Sequence, residues 1–235
     1  MQLALEFGLW LRLLRLFRLV LPPSPRLTRI VSETSRRSGI PVRAVWESTD
    51  AACQAVVFIA TRTLVFTRPL VERLSDAEIA SICQHELAHL TEPILIACLR
   101  IMRRFLLLPL LFAIPLAVRF KSPVVVVFLF APAQIHTLVF SRAQRRMEQR
   151  ADSLTVSATV DPAVYARALE KIHEANQIPA VLGGKRTHPD LFDRMVAAGA
   201  APNYPRPARP KRFHWTSGLL LILVATTTVW LVQLL

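Results

Sequence analysis

The chain has 235 residues, with 29 Lys and Arg against 16 Asp and Glu, so its formal net charge is +13. Hydrophobic residues make up 53% of the chain and charged residues 19%, whereas soluble domains usually carry about 25% charged residues. This hydrophobicity excludes an intrinsically disordered chain, and three cysteines exclude a disulfide scaffold. A basic chain attracts nucleic acids or anionic membranes, and the apolar excess favours the membrane.

Residues 1–23 are rich in leucine but interrupted by positive charge. Arg12, Arg15 and Arg18 are spaced so that a helix would gather them in one sector. The charges lie in the middle of the segment, and Pro22 and Pro23 follow without a small-residue cleavage site, which argues against a signal peptide. The pattern predicts an amphipathic helix in the membrane interface. A helix packed on the protein's own surface is the alternative.

Residues 24–202 have the composition of one globular domain, interrupted by an apolar insertion. Its first part contains runs of β-branched and aromatic residues that predict short strands over 42–47, 54–60 and 63–66. The last two strands are expected to form a hairpin. Ser75 and Glu78 then give a capping-box pattern, which predicts a helix through His89. Further helices are predicted over 143–156 and 162–177.

The insertion, residues 102–141, contains two charge-free stretches. Residues 105–118 and 122–141 are separated by a short basic turn, which predicts a membrane hairpin; two core helices are the alternative. The positive-inside rule places the side with more Lys and Arg in the cytoplasm. The open side of the hairpin has the larger number of arginines, and it is therefore predicted to face the cytoplasm: Arg100, Arg103, Arg104, Arg142, Arg145, Arg146 and Arg150.

The C-terminal part of the chain repeats this combination of charge and apolar sequence. Residues 203–214 form a basic, proline-rich linker, and residues 215–235 carry no charge over about the length needed to cross a bilayer. Basic residues directly before an apolar segment are typical of a cytoplasmic flank. We therefore predict a C-terminal transmembrane helix. A buried terminal helix is the alternative.

The predicted helix ending at His89 carries a metal-binding pattern. His85 and His89 are four residues apart, so both imidazoles lie on one helix face and can bind one Zn²⁺. Glu86 is directed so that its carboxylate can reach a water on the metal and act as general base. The alternative is a pair of surface histidines without a metal. The helical context favours a zinc site, with one zinc ion per chain.

A catalytic zinc normally has three protein ligands and one open position. Glu92 and Leu95 stand where a metzincin would have glycine and histidine, which excludes that subclass. Glu148 and Asp152 have the spacing of the thermolysin-like arrangement, in which the glutamate is a ligand and the aspartate holds a ligand histidine. A solvated charge on a basic helix is the alternative for Glu148.

The chain resembles the HtpX-type membrane zinc metalloproteases, a gluzincin group that includes the CaaX prenyl endopeptidases and the mitochondrial Oma-type proteases. The resemblance extends from about residue 43 to about 200. It rests on the 64–67 strand, the helix after Ser75, the motifs at 85–89 and 148–152, and Thr187-His188-Pro189 with Arg194. It implies an α+β, mainly helical fold with a minimal zincin-like core. It also implies that His188 stabilises the oxyanion, that Arg194 supports His188, and that an edge strand near 55–59 pairs with substrate.

The sequence therefore predicts a membrane-anchored zinc endopeptidase that hydrolyses protein or peptide substrates. Its partners would be the substrate and the lipid bilayer. Its location would be the inner membrane of a bacterium, with the active site on the cytoplasmic side. Membrane-protein quality control is the role that the resemblance implies. A sensor-transducer protease that cleaves one repressor and a catalytically inactive scaffold are the alternatives. Nucleic acid is not expected as a partner, because the basic residues flank apolar segments instead of forming a face with interleaved aromatics.

Overall fold

The computed structural model describes residues 14–93, 95–96, 98, 112, 115–116, 119–120, 124–182, 189–200 and 202–210. The predicted transmembrane segment 215–235, residues 1–13, and most of the first hairpin arm with its turn lie outside the described residues. Within the described residues, no helix combines the length and the apolar character needed to cross a membrane.

The described residues form a mixed α+β domain that is mainly helical and contains one small sheet, consistent with the predicted core. In chain order, the elements are β1 (Val20–Leu21), α1 (Pro25–Ser38), β2 (Ala44–Ser48), β3 (Ala55–Phe58), β4 (Thr63–Thr67), α2 (Arg68–Arg73), α3 (Asp76–His89), α4 (Val124–Ala158), α5 (Pro162–Ala175) and α6 (Leu191–Ala197).

The sheet has the strand order β1-β2-β4-β3, so β3 lies at an edge. β3 and β4 are antiparallel neighbours, as the predicted hairpin requires, and β2 runs parallel to β4. Val57, Leu64 and Phe66 point to one face of the sheet because side chains alternate along a strand. All three belong to the main hydrophobic core. The edge position expected for residues 55–59 is confirmed; its pairing with substrate stays a prediction.

Helix α1 was not among the predicted helices, although its ends carry clear local signals. The Ser24 hydroxyl accepts a hydrogen bond from the Leu27 N–H, and Pro25 occupies the first turn, where its missing N–H costs nothing. Gly39 ends the helix at φ 68°, a left-handed conformation that favours glycine. The Arg26 guanidinium then donates to Asp76 at 2.7 Å, which ties the start of α1 to the start of α3.

Helix α3 passes through the middle of the domain. The predicted capping box is present: the Ser75 hydroxyl accepts from the Glu78 N–H, and the Glu78 carboxylate accepts from the Ser75 N–H. The helix packs against α1, β3, α4 and α5, and buried side chains therefore occur on several of its sides. These buried side chains include Ile79, Ile82, Cys83, His85, Leu87 and His89. The histidine pair is thus held on a core element with little freedom to move.

Helix α4 is one continuous element where the sequence predicted an apolar arm followed by a separate helix. It contains 35 residues and ends at Ala158. At 1.5 Å per residue its length is about 50 Å. Residues 143–156, which were predicted as a helix, form its C-terminal part. One continuous helix therefore contains both the second apolar stretch of the predicted hairpin and the candidate ligand Glu148.

The proline-rich segment after α6 contacts the domain through ion pairs. The Arg206 guanidinium donates to the Asp193 carboxylate at 2.9 Å and to the Asp190 carboxylate at 3.0 Å. Asp190 also accepts a hydrogen bond from the Leu182 N–H at 3.0 Å. The described part of the predicted linker, residues 203–210, is thus attached to the region that surrounds α6.

Candidate metal centre

The last two turns of α3 bring two imidazoles together at the centre of the domain. The Nε2 atoms of His85 and His89 are 3.3 Å apart, and the rings meet edge to face. Both residues are buried, with 6% and 5% of their surfaces exposed. The spacing of four residues therefore produces the shared helix face that the sequence predicts.

Helix α4 adds a carboxylate to this pair. Glu148 is buried, and its Oε2 lies 3.5 Å from His85 Nε2, while its Oε1 lies 3.8 Å from His89 Nε2. Within the described residues, these three side chains form the one group whose ligand atoms are close enough together to hold a metal ion. The structure thus brings together the three residues that the sequence singled out as ligands.

The outer ring nitrogens determine where the protons lie. His89 Nδ1 is 2.6 Å from a Glu92 oxygen, and His85 Nδ1 is 3.1 Å from an Asp152 oxygen and 2.8 Å from the Tyr165 hydroxyl. A carboxylate only accepts hydrogen bonds, so each Nδ1 must carry a proton to donate. In the neutral imidazoles, each Nε2 then presents a lone pair toward the other histidine and Glu148.

This donor set fits a small divalent cation. Two nitrogen lone pairs and a carboxylate that converge on one point repel one another, and a proton or a metal ion between them removes that repulsion. An ion with bonds of about 2.1 Å and tetrahedral geometry separates its ligand atoms by about 3.4 Å. The separations of 3.3, 3.5 and 3.8 Å lie near that value. His85, His89 and Glu148 are therefore suited to hold such an ion.

The protein around His85 favours positive charge at this point. Burial alone would lower the pKa of His85, but its close contacts with the Asp152 and Glu148 carboxylates raise the pKa to about 9. Burial alone would raise the pKa of Asp152. Its contacts with His85 and Arg194 nevertheless hold the Asp152 pKa well below the usual range. Carboxylates that attract a proton at His85 also attract a metal ion there.

Glu86 lies beside this group and does not belong to the three converging ligands. It is half-buried on α3, and the backbone of Val57 in the edge strand β3 lies near enough to its carboxylate to lower its pKa slightly. Withdrawal from water raises the pKa of Glu86, while the nearby His89 and His85 lower it to a smaller extent. The carboxylate thus lies near both the metal ligands and β3, the edge strand of the described sheet.

Arg194 from α6 is buried in the outer layer of the site. Its Nε donates to Asp152 Oδ2 at 2.9 Å, and one terminal nitrogen donates to Asp152 Oδ1 at 2.7 Å, which makes a bidentate pair. The same terminal nitrogen lies 2.7 Å from the Tyr165 hydroxyl. Arg194 therefore reaches the metal group through Asp152. Its predicted support of His188 stays a prediction, because His188 lies outside the described residues.

Sequence reasoning missed two residues of this outer layer. Glu92 was used only to exclude the metzincin pattern, yet it is three residues after His89 and therefore on the same helix face. That spacing was a usable signal. Tyr165 reaches His85 across 80 residues of sequence, and no local pattern predicts such a contact.

Comparison with known proteins agrees with this geometry. The model of Peptidase family M48 matches residues 23–201, which include every element from α1 to α6. No curated protein matches the chain. Because the match covers well over half of the sequence, this chain belongs to peptidase family M48, a family of metallopeptidases, which are hydrolases that act on proteins or peptides.

Proposed function

We propose that this chain is a membrane-anchored zinc endopeptidase of the HtpX and CaaX prenyl endopeptidase type. The observation that carries the proposal is the convergence of His85, His89 and Glu148 within a chain of family M48. Two imidazoles and one carboxylate are the ligand set of gluzincin zinc sites, which keep a fourth position open for chemistry.

Bound zinc would supply Lewis-acid chemistry, which polarises the scissile carbonyl and lowers the pKa of a water. The Glu86 carboxylate takes the proton from the attacking water and later delivers it to the leaving amine. It lies close to the backbone of Val57 and so beside β3. The free edge of β3 binds the extended substrate chain by adding a strand to the sheet. His188 stabilises the oxyanion, as the family resemblance implies.

The proposed hydrolysis is tested by metal removal. The full chain in detergent should bind one zinc ion and cleave casein, and 1,10-phenanthroline should abolish that cleavage because the open metal position and the proton-transfer geometry are lost together. Added Zn²⁺ should restore it. The non-chelating isomer 1,7-phenanthroline is the matched control. Cleavage that continues after complete removal of metal would contradict a metallopeptidase.

The membrane part of the proposal is supported by sequence. Charge-free segments are bordered by basic residues, and the arginines on the open side of the 102–141 hairpin outnumber those at its turn. The proposed location is the bacterial inner membrane, with the metal centre on the cytoplasmic side. Membrane-protein quality control is the proposed role, because substrates of such an enzyme would reach it from the bilayer.

Individually introduced cysteines test this orientation in intact and lysed cells. With Cys98 replaced by serine, a membrane-impermeant maleimide should label Arg119→Cys in intact cells, because the hairpin turn would face outward. Arg146→Cys should react only after lysis. Buried Cys53 and Cys83 give the background signal, measured in the parent variant. Labelling of both positions from the same side would refute the hairpin.

A further inference from the structure

Tyr165 is a fully buried residue of α5 whose hydroxyl lies in the outer layer of the metal group. The hydroxyl oxygen is 2.8 Å from His85 Nδ1, 2.6 Å from Asp152 Oδ1 and 2.7 Å from an Arg194 nitrogen. Its ring also stacks near the imidazole of His85, with the centroids 5.9 Å apart. No part of the mechanism above uses this residue.

The three contacts allow one arrangement of protons. An arginine only donates, and an ionised aspartate only accepts, so the Tyr165 hydroxyl accepts from Arg194 and donates its single proton to Asp152. No proton is then left to donate to His85. The third contact is satisfied only if His85 Nδ1–H donates to the tyrosine oxygen. A hydroxyl has one donor and two acceptor positions, and all three are filled.

This arrangement has a consequence at the opposite side of the imidazole. A proton held on Nδ1 leaves Nε2 of the neutral ring as the nitrogen with a lone pair, and Nε2 is the atom directed at His89 and Glu148. The stacked ring and the hydroxyl together fix the orientation of the His85 imidazole. Outer contacts of this kind set the tautomer and direction of metal-ligating histidines.

We propose that Tyr165 is a positioning residue for metal binding: together with the Asp152 carboxylate, which lies 3.1 Å from the same nitrogen, it holds the proton on His85 Nδ1 and thereby directs Nε2 to the metal. The proposal rests on His85 being a ligand, as in the proposed function. Tyr165 does not touch the substrate or the metal itself. It also connects α5 to the site, so that α3, α4, α5 and α6 all contribute to the environment of one imidazole.

The test compares Tyr165→Phe with Tyr204→Phe, which alters the only other tyrosine of the chain. Tyr204 contacts Phe192 and none of the candidate ligands, so it is a matched control. Zinc dissociation constants are measured by chelator competition on the full chain in detergent. Tyr165→Phe should weaken zinc binding about 10- to 100-fold, the usual cost of losing such an outer contact, and Tyr204→Phe should not.

A purely structural role would lower the melting temperature of the metal-free protein and leave the zinc dissociation constant of the folded protein unchanged. That result would overturn the proposal. A failure of the proposed function is distinguishable, because the wild type would then bind no zinc at the His85 site. Wild-type zinc binding with an unchanged constant in Tyr165→Phe removes only the role of Tyr165.

A second measurement keeps the hydroxyl and does not depend on the folding of Tyr165→Phe. In Tyr204→Phe protein produced with 3-fluorotyrosine, Tyr165 is the one labelled position. Its fluorine resonance should shift when zinc is added, because the Tyr165 hydroxyl is hydrogen-bonded to His85, the histidine that binds the metal. A resonance that does not respond to stoichiometric zinc would also overturn the proposal.

Discussion

Replacement of Glu86 by glutamine should abolish peptide hydrolysis and leave metal binding intact. Glutamine has nearly the same shape and fits a helix interior equally well, but its amide cannot take a proton from water. General acid–base catalysis contributes about 10²- to 10⁴-fold to a rate, so kcat should fall by at least about 100-fold. Zinc stoichiometry should stay at one, because Glu86 is outside the group of converging ligand atoms.

The measurement for Glu86→Gln is kcat on a fluorogenic peptide or casein, with bound zinc determined on the same sample. Glu72→Gln is the matched control, because Glu72 is an exposed glutamate on α2 and its replacement removes the same charge. Cleavage at the wild-type rate in Glu86→Gln would contradict the mechanism. Loss of zinc in this variant would instead mean that Glu86 is itself a ligand.

Glu148→Gln should show the opposite combination, in which zinc binding and hydrolysis are lost together. The carboxylate is buried and 3.5 Å from His85 Nε2, so its charge acts on the site with little screening by water. A neutral amide is a poor ligand in that position. The loss of zinc affinity should exceed the roughly 10- to 100-fold cost of an outer contact.

Chelator competition and the rate of casein cleavage test Glu148→Gln together. The control is Glu33→Gln, because Glu33 is an exposed glutamate on α1, where an amide alters no buried contact. Wild-type zinc affinity in Glu148→Gln would mean that the third ligand lies elsewhere. Glu86→Gln and Glu148→Gln therefore separate the residue that moves protons from the residue that holds the metal.

The parts of the structure that depend on local spacing follow from the sequence. The Ser75 capping box, the histidine pair on one face of α3 and the β3–β4 hairpin are all set by residues within a few positions of one another. The same kind of signal was present for α1, in the Ser24 cap, Pro25 and Gly39. A proline-rich start and a basic surface made that segment less conspicuous than the motif-bearing helices.

The contacts that complete the site depend on tertiary packing. Arg194 and Tyr165 meet Asp152 only because α4 and α5 pack against α3 and α6 packs against α5, and sequence periodicity contains no information on that packing. Family resemblance led to Arg194 but suggested a partner other than Asp152. A lone tyrosine within an ordinary amphipathic helix would have been assigned to the core, where its ring indeed lies.

If the apolar part of α4 is embedded as proposed, the continuous course of α4 would set the distance between the bilayer and the reaction. The embedded stretch would end at Ser141, and Glu148 follows seven residues later on the same helix. Seven residues at 1.5 Å per residue separate the two by about 10 Å. An extended peptide covers that span in about three residues. The length of the helix beyond the membrane would then select the cleavage site, so that only peptide bonds about three extended residues from the membrane surface would reach the metal centre.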